Sequence, residues 1–141
     1  MNSSKWIVNS WQKYAWYVPA GVVAIVIALL SLWEQPTLPP LVLHWSDKTW
    51  HTLMYVVQAV ALLLPVAALG GARCEGVWKR YAWSWVLTVG YGGLMEVLQA
   101  TCTRTRTGDW IDLVADIVGA SIGLVLVVIY RLMRRRFSAC R

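Results

Sequence analysis

The chain has little that would support thiol, disulfide or zinc chemistry. Its three cysteines, Cys74, Cys102 and Cys140, form no Cys-x-x-Cys pair and no His/Cys pattern of the kind that holds zinc. No Ser or Cys stands in a nucleophile motif, so a hydrolase built on this chain would need an activated water. Internal repeats, low-complexity tracts and long linkers are also lacking, which excludes a solenoid or a disordered tether. Charge is sparse: 14% of residues are charged and 58% hydrophobic, with a mean hydropathy of +0.52. A soluble globular domain is rarely so apolar, and this composition predicts one integral membrane domain.

What the chain does have is long apolar runs. Four stand out: Tyr17 to Trp33, His51 to Leu69, Ala82 to Ala100 and Ile111 to Tyr130. Each approaches the ~20 residues that a helix needs to cross ~30 Å of hydrocarbon. The expected fold is therefore all-α, a bundle of four transmembrane helices. Ser31, Leu32 and Trp33 run into Glu34 and Pro36 without a small-x-small cleavage pattern, so the first run is read as an uncleaved span. Residues 1–16 form an N-terminal segment in which Ile7, Trp11 and Tyr14 recur at helical spacing, the pattern of a short interfacial helix. Residues 17–130 form the membrane domain and residues 131–141 a basic tail. Pro36, Pro39 and Pro40 predict an extended loop between the first two spans.

Charge predicts the orientation. Lys5 and Lys13 precede the first span, Arg73, Lys79 and Arg80 fall between the second and third, and Arg131, Arg134, Arg135, Arg136 and Arg141 follow the fourth. Lys48, Arg104 and Arg106 alone fall on the other side. The positive-inside bias then puts both termini in the cytoplasm. Trp16, Tyr17, Trp78, Trp83 and Trp85 flank the cytoplasmic ends, and Trp33, Trp45, Trp50 and Trp110 the outer ends, as two interfacial belts. On this topology Cys74 and Cys140 face the reducing side and Cys102 lies near the outer end. No intrachain disulfide is expected, and a homodimer linked through Cys102 stays open. The net charge of +6 is divided among segments beside helix ends, so membrane lipid headgroups rather than nucleic acid are the expected partners.

Against this apolar background, Glu96, Asp112 and Asp116 lie inside predicted spans. A charge at mid-membrane costs roughly 2.5 to 3.5 kcal/mol on insertion scales, so such residues mark a functional hypothesis. In the second span Asp47, His51, Tyr55 and Gln58 recur at spacings of four, four and three, with Lys48 beside them; they share one helix face. Tyr91, Glu96 and Gln99 approach the outer end of the third. Arg106 precedes Gly108 and Asp109, a helix cap, with Asp112 in the first turn and Asp116 one turn deeper on the same face. Asp47 and Asp109 suit ordinary capping; the others predict a polar outer-face pocket. Gly119, Ala120, Ser121 and Gly123 form a small-residue face for close helix packing, and Gly90, Gly92 and Gly93 offer the same to the third span.

These motifs resemble the VanZ-like family, small bacterial membrane proteins named for a protein linked to teicoplanin resistance. The matching pieces are Asp47-Lys48-x-x-His51-x-x-x-Tyr55, then Tyr91-Gly92-x-x-x-Glu96-x-x-Gln99, then Arg106 followed by Asp112, Asp116, Gly119 and Gly123. They cover about residues 46 to 123, without the first span or the tail. The family pattern more often has Asn where this chain has Asp116, and Pro-Gly before the arginine. The resemblance implies a role in glycopeptide antibiotic tolerance or envelope biology and supplies no reaction.

Three functions follow as expectations. The first is binding: Asp47, Lys48, His51, Tyr55, Glu96, Gln99, Arg106, Asp112 and Asp116 hold a lipid or lipid-linked envelope-precursor headgroup, or a lipoglycopeptide. Arg106 and Lys48 would grip phosphate or carboxylate, and Glu96, Gln99 and Asp112 would accept hydrogen bonds. The second is a membrane enzyme acting on a lipid-linked substrate, with His51, Glu96 and Asp112 as catalytic candidates and His51 as base, oriented by Asp47 or Glu96. No cofactor is expected and no metal is assigned; a variant of the enzyme reading gathers His51, Glu96, Asp112 and Asp116 around a hard divalent ion. The third, a transporter or proton path, is weaker because the polar residues stop about halfway through the spans.

Overall fold

The computed structural model describes residues 14–33, 47–69, 76–103 and 110–139, without the side chains of Asp47 and of residues 137–139. The expected interfacial helix before residue 14, the proline loop and the connection carrying Arg106 lie outside the described residues. Four helices follow one another: α1 Val18–Leu32, α2 Asp47–Leu69, α3 Val77–Cys102 and α4 Trp110–Ala139. No strand occurs among the described residues. All four coincide with the four apolar runs, but the ends differ. α4 continues through Arg131, Arg134, Arg135 and Arg136 instead of stopping at Tyr130, because nothing in that run breaks a helix and arginines are favoured near a helix C-terminus.

Two of the helices, α2 and α4, are long and apolar enough to cross a membrane. α1 is apolar but has 15 residues, about 22 Å at ~1.5 Å each. α3 has 26 residues, and its apolar character is diluted by Lys79, Arg80, Ser84, Thr88 and its glycines.

Polarity is distributed inside out. Along α4, Val114, Val118, Ile122, Val125 and Ile129 are exposed, while Asp112, Asp116, Ala120, Val127 and Arg131 are buried. On α3, Leu87, Leu94 and Val97 face outward and Thr88, Glu96 and Gln99 inward; on α1, Val22, Ile25 and Leu29 face outward. Such an apolar exterior around buried polar groups suits a lipid surround, where side chains turned outward need no hydrogen bonds.

The main contact is between α2 and α4, and glycine sets its distance. A Cβ on Gly119 would collide with the Thr52 carbonyl oxygen, and one on Gly123 would stand 2.6 Å from Ala59 Cβ. The two backbones therefore touch, as the small-residue face predicts, and Thr52 Oγ1, which donates to the Lys48 carbonyl of its own helix at 2.9 Å, also lies 3.4 Å from the Ala115 carbonyl of α4. Of the α3 glycines only Gly92 is tightly packed: Gly90 has no neighbour within 4 Å, and Gly93 meets Leu113 at an ordinary 3.8 Å. Pro65 lies within α2, where it removes one backbone donor.

A core of Ala59, Leu63, Val66, Ala67, Val77, Tyr81, Ala120 and Val127 fills the half of the bundle nearer the start of α3. A smaller cluster of Ile27, Tyr55 and Met95 joins α1 to α2 and α3. Two hydrogen bonds fasten α1 to α3: Tyr91 donates its hydroxyl to the Ala24 carbonyl at 2.6 Å, and Gln99 Nε2 donates to the Ser31 carbonyl at 3.1 Å. Trp16, Trp78, Trp83, Trp33 and Trp110 are exposed near helix ends, as belts require. Trp85 departs from that expectation. It sits two turns inside α3 and turns inward, donating Nε1–H to Ser121 Oγ at 3.2 Å.

Candidate functional site

The start of α2, the last turns of α3 and the start of α4 meet at one end of the bundle, here the acidic end. On α2 the face formed by Lys48, His51, Tyr55 and Gln58 turns inward with depth: the Lys48 side chain is 46% exposed, His51 12%, and Tyr55 and Gln58 are buried. Asp112 and Asp116 share the opposing face of α4, one turn apart. Glu96 enters from α3.

The charged groups form two layers. Near the rim, Lys48 Nζ donates to Asp112 Oδ1 at 3.1 Å. One turn deeper, His51 lies between two carboxylates: its Nδ1 is 3.0 Å from Asp116 Oδ1 and 3.9 Å from Glu96 Oε1. A carboxylate against Nδ1 favours the tautomer with the proton on that nitrogen and leaves Nε2 as the basic one. Sequence reasoning gave the orienting role to Asp47 or Glu96; Asp116 makes the closest of the two described contacts. The reason is local. A Cβ on Gly92 would stand 2.7 Å from Asp116 Oδ2, so the missing side chain at Gly92 is what admits this fully buried carboxylate between α3 and α4.

Three buried polar atoms in and below this layer, Asp116 Oδ2, Tyr55 Oη and Gln58 Oε1, have no hydrogen-bond partner among the described residues. An unmade hydrogen bond at a buried polar atom costs about 1 to 3 kcal/mol, so the inner layer carries polar capacity that the fold itself does not consume.

The same geometry bears on a cation. One ligand atom from each of His51, Glu96 and Asp116 lies within 4.8 Å of the other two. Two ligands on one ion at about 2.1 Å are at most about 4.2 Å apart, and both His51 distances fall inside that limit. Asp112 is not in this group; Lys48 holds it at the rim, which reduces the four-ligand variant to three.

The remaining expected residues divide. Gln99 is buried but directs its amide to α1, so it braces the bundle rather than lining the charged layers. Asp47 opens α2, with its side chain outside the described residues, as are Arg106 and Trp45. Trp50 is half-buried, whereas Trp110 is 82% exposed.

Sequence reasoning missed the polar groups deeper in the bundle. Ser84 and Thr88 are buried, and Thr88 Oγ1 donates to the Ser84 carbonyl at 2.9 Å. Ser121 Oγ likewise donates to the Ile117 carbonyl at 2.8 Å. The Thr88 and Ser121 hydroxyls donate within their own helices, and Ser121 Oγ also accepts from Trp85 across α3 and α4. Arg131, assigned by sequence to the tail, is buried and donates Nη1–H to the Tyr81 hydroxyl at 3.2 Å. Its position four residues past Val127, on the buried stripe of α4, was the signal available.

The VanZ/LLP1 family model matches residues 2–132, a longer stretch than the motifs alone, and one that includes the first helix. No curated protein and no solved structure matches the chain.

Proposed function

The chain belongs to the VanZ/LLP1 family, and from that premise we propose that it binds a polar headgroup at the outer face of the bacterial cytoplasmic membrane. On this reading all four helices span, both termini are cytoplasmic, and the acidic end faces outward. The ligand is the headgroup of a lipid or lipid-linked envelope precursor, or a lipoglycopeptide such as teicoplanin, and its capture contributes to glycopeptide tolerance or envelope biology. The observation that carries the reading is the inner layer of His51, Glu96 and Asp116, a buried polar group of three helices inside an apolar exterior. Interhelical hydrogen bonds in membranes average only about 0.6 kcal/mol, a small return for burying three titratable groups, so bracing alone does not account for them.

Lys48 at the rim and Arg106 in the preceding connection supply cations for a phosphate or carboxylate, and the carboxylates accept from hydroxyl or amine groups. Native mass spectrometry of the full chain in mild detergent tests this, with wild type compared against Glu96→Gln, Arg106→Ala and Lys48→Ala. The expected result is a co-purifying adduct that all three changes weaken. Identical adducts in all four proteins, together with unchanged teicoplanin tolerance in cells, would refute the assignment.

One observation favours a second reading, catalysis on a lipid-linked substrate. Asp116 against Nδ1 leaves Nε2 of His51 as a general base for a water or hydroxyl. If His51→Ala keeps the adduct but accumulates unprocessed ligand, the site turns its ligand over; if the ligand is recovered unchanged from wild type and variant alike, it only binds.

A further inference from the structure

The opposite, basic end of the bundle carries a second built feature that the reading above does not use. A cavity of about 270 Å³ opens between the first turns of α3 and the last turns of α4, lined by Gly76, Trp78, Tyr81, Leu132, Arg131 and Arg135 among others. A water occupies about 30 Å³ of liquid, so a phosphodiester group with part of its glycerol fits the space.

We propose that this cavity is a site for the phosphate group of an anionic phospholipid. Four features of the walls support it. Arg131 is only 7% exposed, and its plane is held by the Tyr81 hydroxyl and by the Tyr81 ring, whose centroid lies 5.7 Å from the guanidinium carbon. A guanidinium held in plane suits bidentate contact with phosphate oxygens. Arg135, one helical turn on, lines the same cavity. The floor includes the start of α3, where the N-cap residue Gly76, at φ 85°, has no side chain with which to cap the helix; the positive end of the helix dipole and its first N–H groups favour an anion there.

The fourth feature separates a lipid from a soluble anion. Leu132 and Trp78 in the wall are 52% and 67% exposed and continue into the apolar outer surface of α3 and α4. Trp78 also stands edge-on to Tyr81, with ring centroids 5.7 Å apart. An occupant with a phosphate at one end and glycerol and acyl chains at the other satisfies both halves of this wall, whereas inorganic phosphate satisfies one. Basic pockets beside helix ends are where anionic headgroups gain most from a membrane protein. The site is separated from the His51 layer by the Leu63, Ala120 and Val127 core, so the two proposals stand or fall independently.

The test uses the full chain in mild detergent, titrated with phosphatidylglycerol or phosphatidylcholine and read by native mass spectrometry. Phosphatidylglycerol is expected to be retained more strongly than phosphatidylcholine. Arg135→Ala, at an exposed position, is expected to lower that retention about fivefold, the size of one basic residue's contribution; Arg131→Lys, which keeps the charge and loses the planar fork, is expected to lower it as well. Arg136→Ala, outside the cavity, is expected to leave it unchanged. Equal retention of the two lipids, or equal losses for Arg135→Ala and Arg136→Ala, would overturn the proposal in favour of diffuse attraction. Full displacement of phosphatidylglycerol by millimolar inorganic phosphate would reassign the site to the free anion.

Discussion

His51 and Asp116 meet at 3.0 Å, Nδ1 to Oδ1, across the closest helix pair of the bundle. The pair belongs to α2 and α4, 65 residues apart in the chain, and Glu96 of α3 stands beside it.

Removing one partner should cost more than neutralising the other. His51→Ala leaves a carboxylate buried without its imidazole and is expected to destabilise the protein by about 3 kcal/mol. Asp116→Asn keeps the shape and a hydrogen bond, at an expected cost of about 1 kcal/mol or less. Denaturant titration in detergent measures both; equal effects would mean that the pair does not hold charge.

Glycine packing makes a sharper contrast. Gly119→Val drives a side chain into the Thr52 carbonyl and Tyr55 Cβ, and overpacking of this kind costs about 1 to 3 kcal/mol. Gly90→Ala enters open space and is expected to gain up to about 1 kcal/mol from helix propensity. Thermal unfolding of the two variants should therefore move in opposite directions.

α1 is held to α3 by Tyr91 and Gln99, each bonded to a backbone carbonyl of α1. Tyr91→Phe and Gln99→Leu are each expected to cost about 0.5 to 1.5 kcal/mol, and the double variant should release α1 to limited proteolysis while α2, α3 and α4 stay protected. Protection of α1 in the double variant would show that apolar contacts around Ile27 suffice.

Orientation can be read from the native thiols. Cys102 is exposed at the acidic end, so the proposed topology predicts that a membrane-impermeant maleimide labels it in spheroplasts and that Cys102→Ser abolishes this labelling. Labelling of Cys74 and Cys140 should require permeabilisation. The reverse pattern would invert the topology and move the His51 layer to the cytoplasmic side.

The existence and order of four helices were legible because each is a long apolar run bounded by polar or proline-containing segments, and hydrophobicity is a local property of sequence. The acidic-end site was legible as a set of residues at similar depth, since the three-residue spacing of Lys48 and His51 on α2 and the four-residue spacing of Asp112 and Asp116 on α4 put each pair on one helix face. Partner choice was not legible. The sequence offered Asp47 or Glu96 to orient His51, whereas Asp116 makes the contact, because Gly92 and Gly119 set how close α3 and α2 come to α4, and that distance arises only when helices pack. Gln99 shows the same limit: spacing put it near Glu96, while the bundle turned its amide to Ser31. Arg131 shows it most plainly. Its charge assigned it to a solvated tail, but the continuation of α4 rotates it onto the buried stripe under Tyr81, because a helix carries its faces forward whatever the residue. The sequence by itself determined the helices, their apolar exterior and the family; tertiary structure decided which buried polar groups touch, since contacts between distant residues depend on sub-ångström approach that no local pattern encodes.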